Sequence, residues 1–251
     1  MKKEHNEKTK ESIVSGIIIG NRVYKENDKS VTLFSKEIGK MSFVARGVRK
    51  LTSKNKSSTD LFVYGNYHLT KGTAYQILTQ GEVVDSFLYL RKDLDKMGVA
   101  MAMGTFLNDV LPDHMPHDSV FDLFYWCLNR LRKTEDPLFL MRYFLIKSIY
   151  YLGYSPDLGG CSICGNVSGP FYFKFQDGQI TCTNCTNEGF YLEPELVNFY
   201  RCLELDLFKE IKGINLEKNN FDKFDAFLER WIECILERKF NGFVFLKKLK
   251  F

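Results

Sequence analysis

The 251-residue sequence has few histidines, only four, and no long uninterrupted apolar run, and acidic residues almost disappear between Ile38 and Gly81, where Asp60 stands alone. Each scarcity excludes something. His5, His68, His114 and His117 show neither triad nor metal-ligand spacing. With no catalytic constellation visible, the chain reads as a non-enzyme. His114 and His117 lie around Pro116 in a loop and read as surface residues. His5-Asn6-Glu7 matches half of a zinc-deaminase signature, but neither Cys-x-x-Cys pair follows the proline that the signature requires. No phosphate-binding G-x-x-x-x-G-K-[ST] occurs, since Gly39-Lys40 runs into Met41, so nucleotide hydrolysis is not expected. The longest apolar stretch, Leu138 to Leu152, is broken by Arg142 and Lys147 and is too polar to span a bilayer. The first eleven residues are polar and charged, without the apolar centre of a signal peptide. Seven cysteines without a secretory signal fit a reducing compartment, and the expected location is the cytoplasm, in association with the nucleoid.

What is present is an ordinary globular composition, 45% hydrophobic and 26% charged, with 22 Phe and 13 Tyr, enough for more than one core. Against the single Asp60 stand Lys40, Arg46, Arg49, Lys50, Lys54, Lys56 and Lys71. That segment therefore carries an excess of six positive charges in a chain whose formal net charge is only +4. A polyanionic partner bound at one place is the implied use.

After a loose tail, residues 12–81 show short β-rich runs separated by turn residues. Ile13 to Ile19 leads to a turn at Gly20-Asn21, Arg22 to Glu26 to one at Asn27-Asp28, and Ser30 to Ser35 is closed by Gly39. Leu61, Val63, Tyr67 and Leu69 share one parity, as in a half-buried strand, and Lys71-Gly72 turns into Ala74 to Thr79. Five short strands predict a small closed barrel, either the oligonucleotide-binding (OB) type or one of the SH3 type. Beyond Gly81 the period becomes helical: Phe87 to Val110, a helix capped by Asp118, and one opened by Asp136-Pro137 that is apolar on most sides and so predicted to lie at a bundle centre. Helices return at Pro194, with Leu196, Phe199, Tyr200, Leu203 and Leu207 on one face, and end on Phe221, Phe224, Leu228, Trp231 and Ile235. The fold class is thus α+β. The predicted order is a tail (1–11), an OB barrel (12–81), a helical bundle (82–158) interrupted by a four-cysteine zinc module (159–189), and its return (190–251).

Cys161-Ser-Ile-Cys164 and Cys182-Thr-Asn-Cys185 are separated by 17 residues. Two residues between cysteines let both sulfurs reach one ion, and a hairpin through Phe171–Phe175 and Gln179–Thr181 would bring the two turns together. Four thiolates close a tetrahedral zinc site and leave no position for substrate, so the role is structural. Cys127, Cys202 and Cys234 fall on or beside apolar helix faces and are read as core packing.

Arg46, Arg49, Lys50, Lys54 and Lys56 lie in a Ser-, Thr- and Asn-rich run with the composition of a mobile loop between barrel strands. Long cationic side chains on such a loop neutralise phosphates and release counterions without reading sequence. Tyr64, Tyr67 and Phe43 are candidates to stack bases, with core packing as the competing use of each.

The order of these parts resembles the bacterial recombination mediator family RecO. Tyr24-Lys-Glu-Asn-Asp-Lys-Ser-Val-Thr-Leu-Phe-Ser-Lys-Glu-Ile-Gly-Lys40 is similar to that family's N-terminal signature, and Ala45-Arg-Gly-Val-Arg-Lys50 to its basic motif. Leu152-Gly-Tyr154 followed by Cys161 and Cys164 resembles the opening of its zinc module. The resemblance implies an N-terminal OB domain, binding of single- and double-stranded DNA, and annealing of complementary strands. It also implies partnership with RecR, contact with the acidic tail of single-stranded DNA-binding protein (SSB), and loading of RecA on SSB-coated strands. Arg46, Arg49, Lys50 and the four cysteines carry over. Two other readings remain: an RNA-binding protein of translation or ribosome assembly, and a zinc enzyme. Arg130, Arg132 and Lys133 are weak candidates for the SSB-tail contact, and the polar tail departs from the family pattern.

Overall fold

The computed structural model describes residues 11–211, 213–214 and 218–246; the expected tail, His5 included, lies outside them except for Glu11, which opens the first strand. That strand, β1 (Glu11–Lys25), is longer than expected. The turn predicted at Gly20-Asn21 is instead a β-bulge: the register against the next strand slips between Ile18 and Gly20, and the chain bends without reversing. Strands β2 (Asp28–Ser35), β3 (Gly39–Ala45), β4 (Tyr64–Lys71) and β5 (Gln76–Asp85) follow. They close in the order β1-β2-β3-β5-β4, with β1 paired to both β2 and β4. All pairs are antiparallel except β3 with β5, which run parallel through Phe43–Gln76 and Val44–Ile77. This five-stranded Greek-key closure is the OB arrangement.

Inward positions alternate with outward ones, so Val14, Ile18, Val31, Leu33, Met41, Phe43, Tyr67, Leu69 and Leu78 fill the barrel. At the β2–β3 turn, Gly39 has φ +82°, and a Cβ there would stand 2.1 Å from the Met115 carbonyl oxygen, so only glycine fits. β5 runs on past Gly81 to Asp85. A 3-10 helix at Leu88–Lys92 then delays the first α-helix, α1 (Leu94–Val110), until Asp93 caps it by accepting from the N–H groups of Asp95 and Lys96. The next helix, α2 (Asp118–Leu131), begins one residue after His117. A second aromatic core covers the outside of the barrel: Phe34 and Tyr64 meet Phe121 at 5.4 and 6.4 Å between ring centroids, and Phe62 meets Phe124 at 6.5 Å. One unit of the chain therefore runs from the barrel through α2 to Arg132, and the other begins at Lys133, separating α1 and α2 from the later helices with which the sequence pattern grouped them.

In the second unit α3 (Pro137–Tyr151) is capped by Asp136, whose carboxylate accepts from the Phe139 N–H. It is buried on nearly every side, with Arg142 and Lys147 inside as well. Each buried cation is satisfied. Arg142 donates twice to Asp225 at 2.7 Å and lies over the Phe221 ring; Lys147 donates to the Glu204 carbonyl at 2.8 Å and to Asp206 at 3.0 Å. Three short strands, β6 (Phe171–Lys174), β7 (Gln179–Cys182) and β8 (Phe190–Leu192), form a sheet in the order β7-β6-β8. The first two are the predicted hairpin, and β8 adds an edge. Helices α4 (Pro194–Glu204), α5 (Phe208–Ile211), α6 (Lys218–Leu236) and α7 (Gly242–Leu246) complete the unit. Phe173 joins sheet to helix, at 5.0 Å from Phe227 and 5.4 Å from Trp231. Among the described residues no helix is long and apolar enough to cross a membrane.

Candidate functional site

Two places on the chain concentrate chemistry. The first is the segment between β3 and β4. Its backbone is fixed at both ends. The Gly47 N–H donates to Asp28 Oδ1 at 2.9 Å and the Arg49 N–H to the Asn27 carbonyl at 3.1 Å, while Val48 is buried with the barrel core. At the far end Asn55 donates to the Thr79 carbonyl at 3.1 Å and accepts from the Gly81 N–H at 3.2 Å. A loop expected to be mobile is thus anchored to the β1–β2 turn and to β5, with its cations held outward.

Arg46, Arg49, Lys50, Lys54 and Lys56 are all exposed, as are Lys71 and, between the cations, Leu51. Arg49 donates to the Glu26 carbonyl, which orients it without neutralising it. The rest of the local charge is spent elsewhere. Asp60, the segment's single acid, faces Lys29 at 3.4 Å and Arg91 at 3.6 Å. Lys40, the first cation of the stretch, pairs with Asp113 at 3.4 Å and donates to the Asn108 carbonyl at 2.8 Å. The positive face is therefore the loop itself.

The suggested stacking residues do not serve. Phe43 and Tyr67 are inside the barrel at 1% and 0% exposure, their rings 5.6 Å apart, and the Tyr67 hydroxyl donates to the Ser58 and Val63 carbonyls. Burial pushes the Tyr67 phenol well above its ordinary range. Tyr67 shares the parity of Val63 and Leu69, which already marks it as inward-facing. Tyr64 is half-buried against Phe121 and Tyr125. The structure offers Tyr24 and Tyr75 instead, which the sequence reading missed. Tyr24 stands near the end of β1 and Tyr75 in the β4–β5 turn; they meet edge-to-face at 6.0 Å, at 42% and 57% exposure. A hydrogen bond with Tyr24 raises the Tyr75 phenol pKa. The pair borders a groove of about 260 Å³ that also includes Lys25 and Arg46. These positions flank the face on which OB barrels take oligonucleotides.

The second place is the cysteine cluster. The Sγ atoms of Cys161, Cys164, Cys182 and Cys185 all lie within 4.8 Å of one another, and Cys164 and Cys182 stand 3.7 Å apart. Tetrahedral thiolates at about 2.3 Å from one ion would be separated by about 3.8 Å, so the quartet can hold a metal ion. Two similar turns present the sulfurs. The Gly165 N–H donates to the Cys161 carbonyl at 2.9 Å, with φ +72° at Gly165, and the Cys185 N–H donates to the Cys182 carbonyl at 2.9 Å. Backbone N–H groups, that of Cys182 foremost, lower the Cys161 thiol to about 6. Hydrogen bonds with Cys164 and Cys182 push Cys185 up to about 12. Four thiols sharing so little space release the first proton readily and the last reluctantly, until a cation replaces them. Of the other cysteines, Cys127 and Cys202 are buried as expected, while Cys234 is exposed on α6, where the apolar face turns away from it.

The family description "Recombination protein O N terminal" matches residues 10–87, and "Recombination protein O C terminal" matches residues 91–242. Curated relatives extend along nearly the whole chain. "DNA repair protein RecO" of Desulfitobacterium hafniense (strain Y51) is 34% identical over 206 residues, covering 81% of this chain and 74% of its own. The protein of that name from Thermoanaerobacter sp. (strain X514) is 28% identical over 231 residues, covering 89% and 93%. That of Listeria welshimeri is 27% identical over 239 residues, covering 94% and 91%. An OB-type barrel ahead of a cysteine quartet set among helices, with both halves of the chain matched in order, establishes that this chain belongs to the RecO family of DNA repair proteins.

Proposed function

We propose that the chain is a non-catalytic mediator of recombinational DNA repair. It binds single- and double-stranded DNA through Arg46, Arg49, Lys50, Lys54 and Lys56 and anneals complementary strands. With RecR it helps to load RecA on strands coated by SSB, whose acidic tail it contacts. The observation that carries this reading is the loop: five exposed cations on a backbone anchored at both ends, beside an aromatic groove on the outside of the barrel. Phosphates on two strands repel each other; a cationic surface that neutralises both lowers that repulsion and brings the strands within pairing distance. Tyr24 and Tyr75 supply stacking surfaces that tolerate any base.

The functional divisions proposed are the OB domain at 12–81, helical segments at 82–158 and 190–251, and a zinc module at 159–189. Zn²⁺ fits the cysteine quartet because four soft thiolates at this spacing suit a closed tetrahedral ion. Cys161, Cys164, Cys182 and Cys185 would hold it, and its contribution is to pin the two turns at the open end of the β6–β7 hairpin. The location proposed is the cytoplasm, with the nucleoid.

The test is strand annealing of complementary oligonucleotides, with and without SSB, alongside competition of single-stranded DNA against RNA of the same sequence. Faster annealing by the parent and its loss on charge reversal of the loop (Arg46, Arg49, Lys50, Lys54 and Lys56 to Glu) are expected. Preferential binding of RNA would instead support a role in translation or ribosome assembly.

A further inference from the structure

The outer row of β3 continues beyond the aromatic groove. Met41, Phe43 and Ala45 point into the barrel, so Lys40, Ser42, Val44 and then Arg46 line the outside. Val44 and Arg46 belong to the groove with Tyr24 and Tyr75; Lys40 and Ser42 belong to a second, larger cleft of about 500 Å³. This cleft lies between the outer face of β1-β2-β3 and α1. From Ser42 to Arg46, the first residue beyond β3, the chain spans about 14 Å at most, so the two cavities are a few nucleotides apart on one track.

The chemistry of the cleft differs from that of the loop. Thr32 and Ser42, opposite each other across the β2–β3 ladder, offer hydroxyls from the barrel; Thr105 and Asn108 offer a hydroxyl and an amide from α1. Lys40 is held by Asp113 and the Asn108 carbonyl, while Arg22, exposed at the rim, forms no ion pair among the described residues. A surface for phosphates alone has no use for a cleft that sets neutral hydroxyls and amides beside the apolar Ile19, Phe62 and Met101. The edge of an unpaired base does, because its hydrogen-bonding groups need partners once it leaves the stack. In a duplex those groups are already paired, and entry would first require breaking the pair.

We infer that the cleft between the barrel and α1 receives an unpaired base of the strand whose phosphates lie on the basic loop, and that it makes the chain favour single strands over duplex. This rests on the DNA-binding reading above and adds to it a base-accepting subsite. Gly20 forms part of the floor: a Cβ there would meet Thr32 at 3.5 Å and Asn108 Oδ1 at 3.9 Å, ordinary contact distances, so a longer side chain enters the cleft without disturbing the backbone. Met101, exposed on α1, faces the same space from the opposite wall.

The experiment measures binding of a labelled thymidine oligonucleotide of about twelve residues, and of a duplex of the same length, to the full chain. Gly20→Leu and Met101→Trp should each weaken single-strand binding about tenfold, the equivalent of one lost base contact, and leave duplex binding and the salt dependence unchanged. Asn108→Ala, at an exposed helix position, should weaken single-strand binding in the same direction without adding bulk, and serves if the filled variants do not fold. Single-strand affinity equal to the parent's in all three variants, or equal losses on single strand and duplex, overturns the inference. If the loop charge reversal weakens both DNA forms while the cleft variants change nothing, DNA binding stands and the subsite falls. If the loop reversal changes nothing, the DNA-binding reading fails and takes the subsite with it.

Discussion

Neutralising Arg46, Arg49, Lys50, Lys54 and Lys56 to glutamine tests the loop with a magnitude set by its geometry. The five side chains are exposed, and of the contacts that hold the loop only the Arg49 hydrogen bond to the Glu26 carbonyl is lost, those of Gly47, Val48, Asn55 and the backbone remaining. Stability should therefore move little, within about 0.5 kcal/mol at each position, as for other exposed substitutions. Binding should move a great deal. Each cation that neutralises a phosphate of a single strand adds about 0.7 to the slope of log affinity against log salt. Five such contacts amount to about 3.5, or about 2.8 if Arg49 stays committed to the Glu26 carbonyl. Over a fourfold rise in salt, a slope of that size corresponds to a loss of about fifty- to a hundredfold in affinity. The parent should show that loss, and the glutamine-substituted protein should not. Fluorescence anisotropy with a labelled single strand, titrated at several salt concentrations, reads both slopes. Equal slopes for the two proteins, with equal melting midpoints, would refute the assignment of the loop to phosphate contact.

Three other outcomes follow from the same structure. Tyr24→Ala and Tyr75→Ala should each weaken single-strand binding by about 1–3 kcal/mol if each ring stacks one base, whereas Tyr24→Phe should retain it; anisotropy at fixed salt decides. Untagged protein should carry one zinc per chain by elemental analysis. Removal of the metal by a chelator, or Cys182→Ser, should disorder the β6–β7 sheet and its aromatic contacts with α6, visible as loss of near-ultraviolet circular dichroism and of a bound-metal free energy of about 10–16 kcal/mol. Arg142→Met should destabilise the second unit by about 2–4 kcal/mol in denaturant unfolding, because Asp225, a quarter exposed, is left without its cation; burial already raises the Asp225 pKa even with the partner present. The double variant Arg142→Met with Asp225→Leu should recover most of that loss.

Features set by near neighbours are legible in the sequence, and those set by distant partners are not. Cys-x-x-Cys spacing is local, and it placed the sulfurs correctly before any fold was known. The Asp136 cap and the all-round apolar helix after it are likewise written within fifteen residues, and both appear as read. Features that need a partner far along the chain differ from what their local sequence suggests. Gly20-Asn21 has the composition of a turn, but pairing with Thr32 and Val31 keeps it in the strand as a bulge. Tyr67 and Phe43 looked available for bases because they flank the basic run, yet closure of the barrel turns both rings inward.

From the amino-acid order alone came the OB or SH3 choice, the cationic segment, the four-cysteine cluster and the helical second half, since each rests on periodicity or spacing between near neighbours. The three-dimensional fold decided the rest. It selected the OB closure through the parallel pairing of Phe43 with Gln76, residues that no local pattern connects. It brought Tyr24 from the end of β1 and Tyr75 from the β4–β5 turn to one groove, and it set α1 beside β1-β2-β3 so that a polar cleft remained between them. Contacts between residues tens of positions apart are made by the folded backbone, and they leave no signature in the neighbours of either residue.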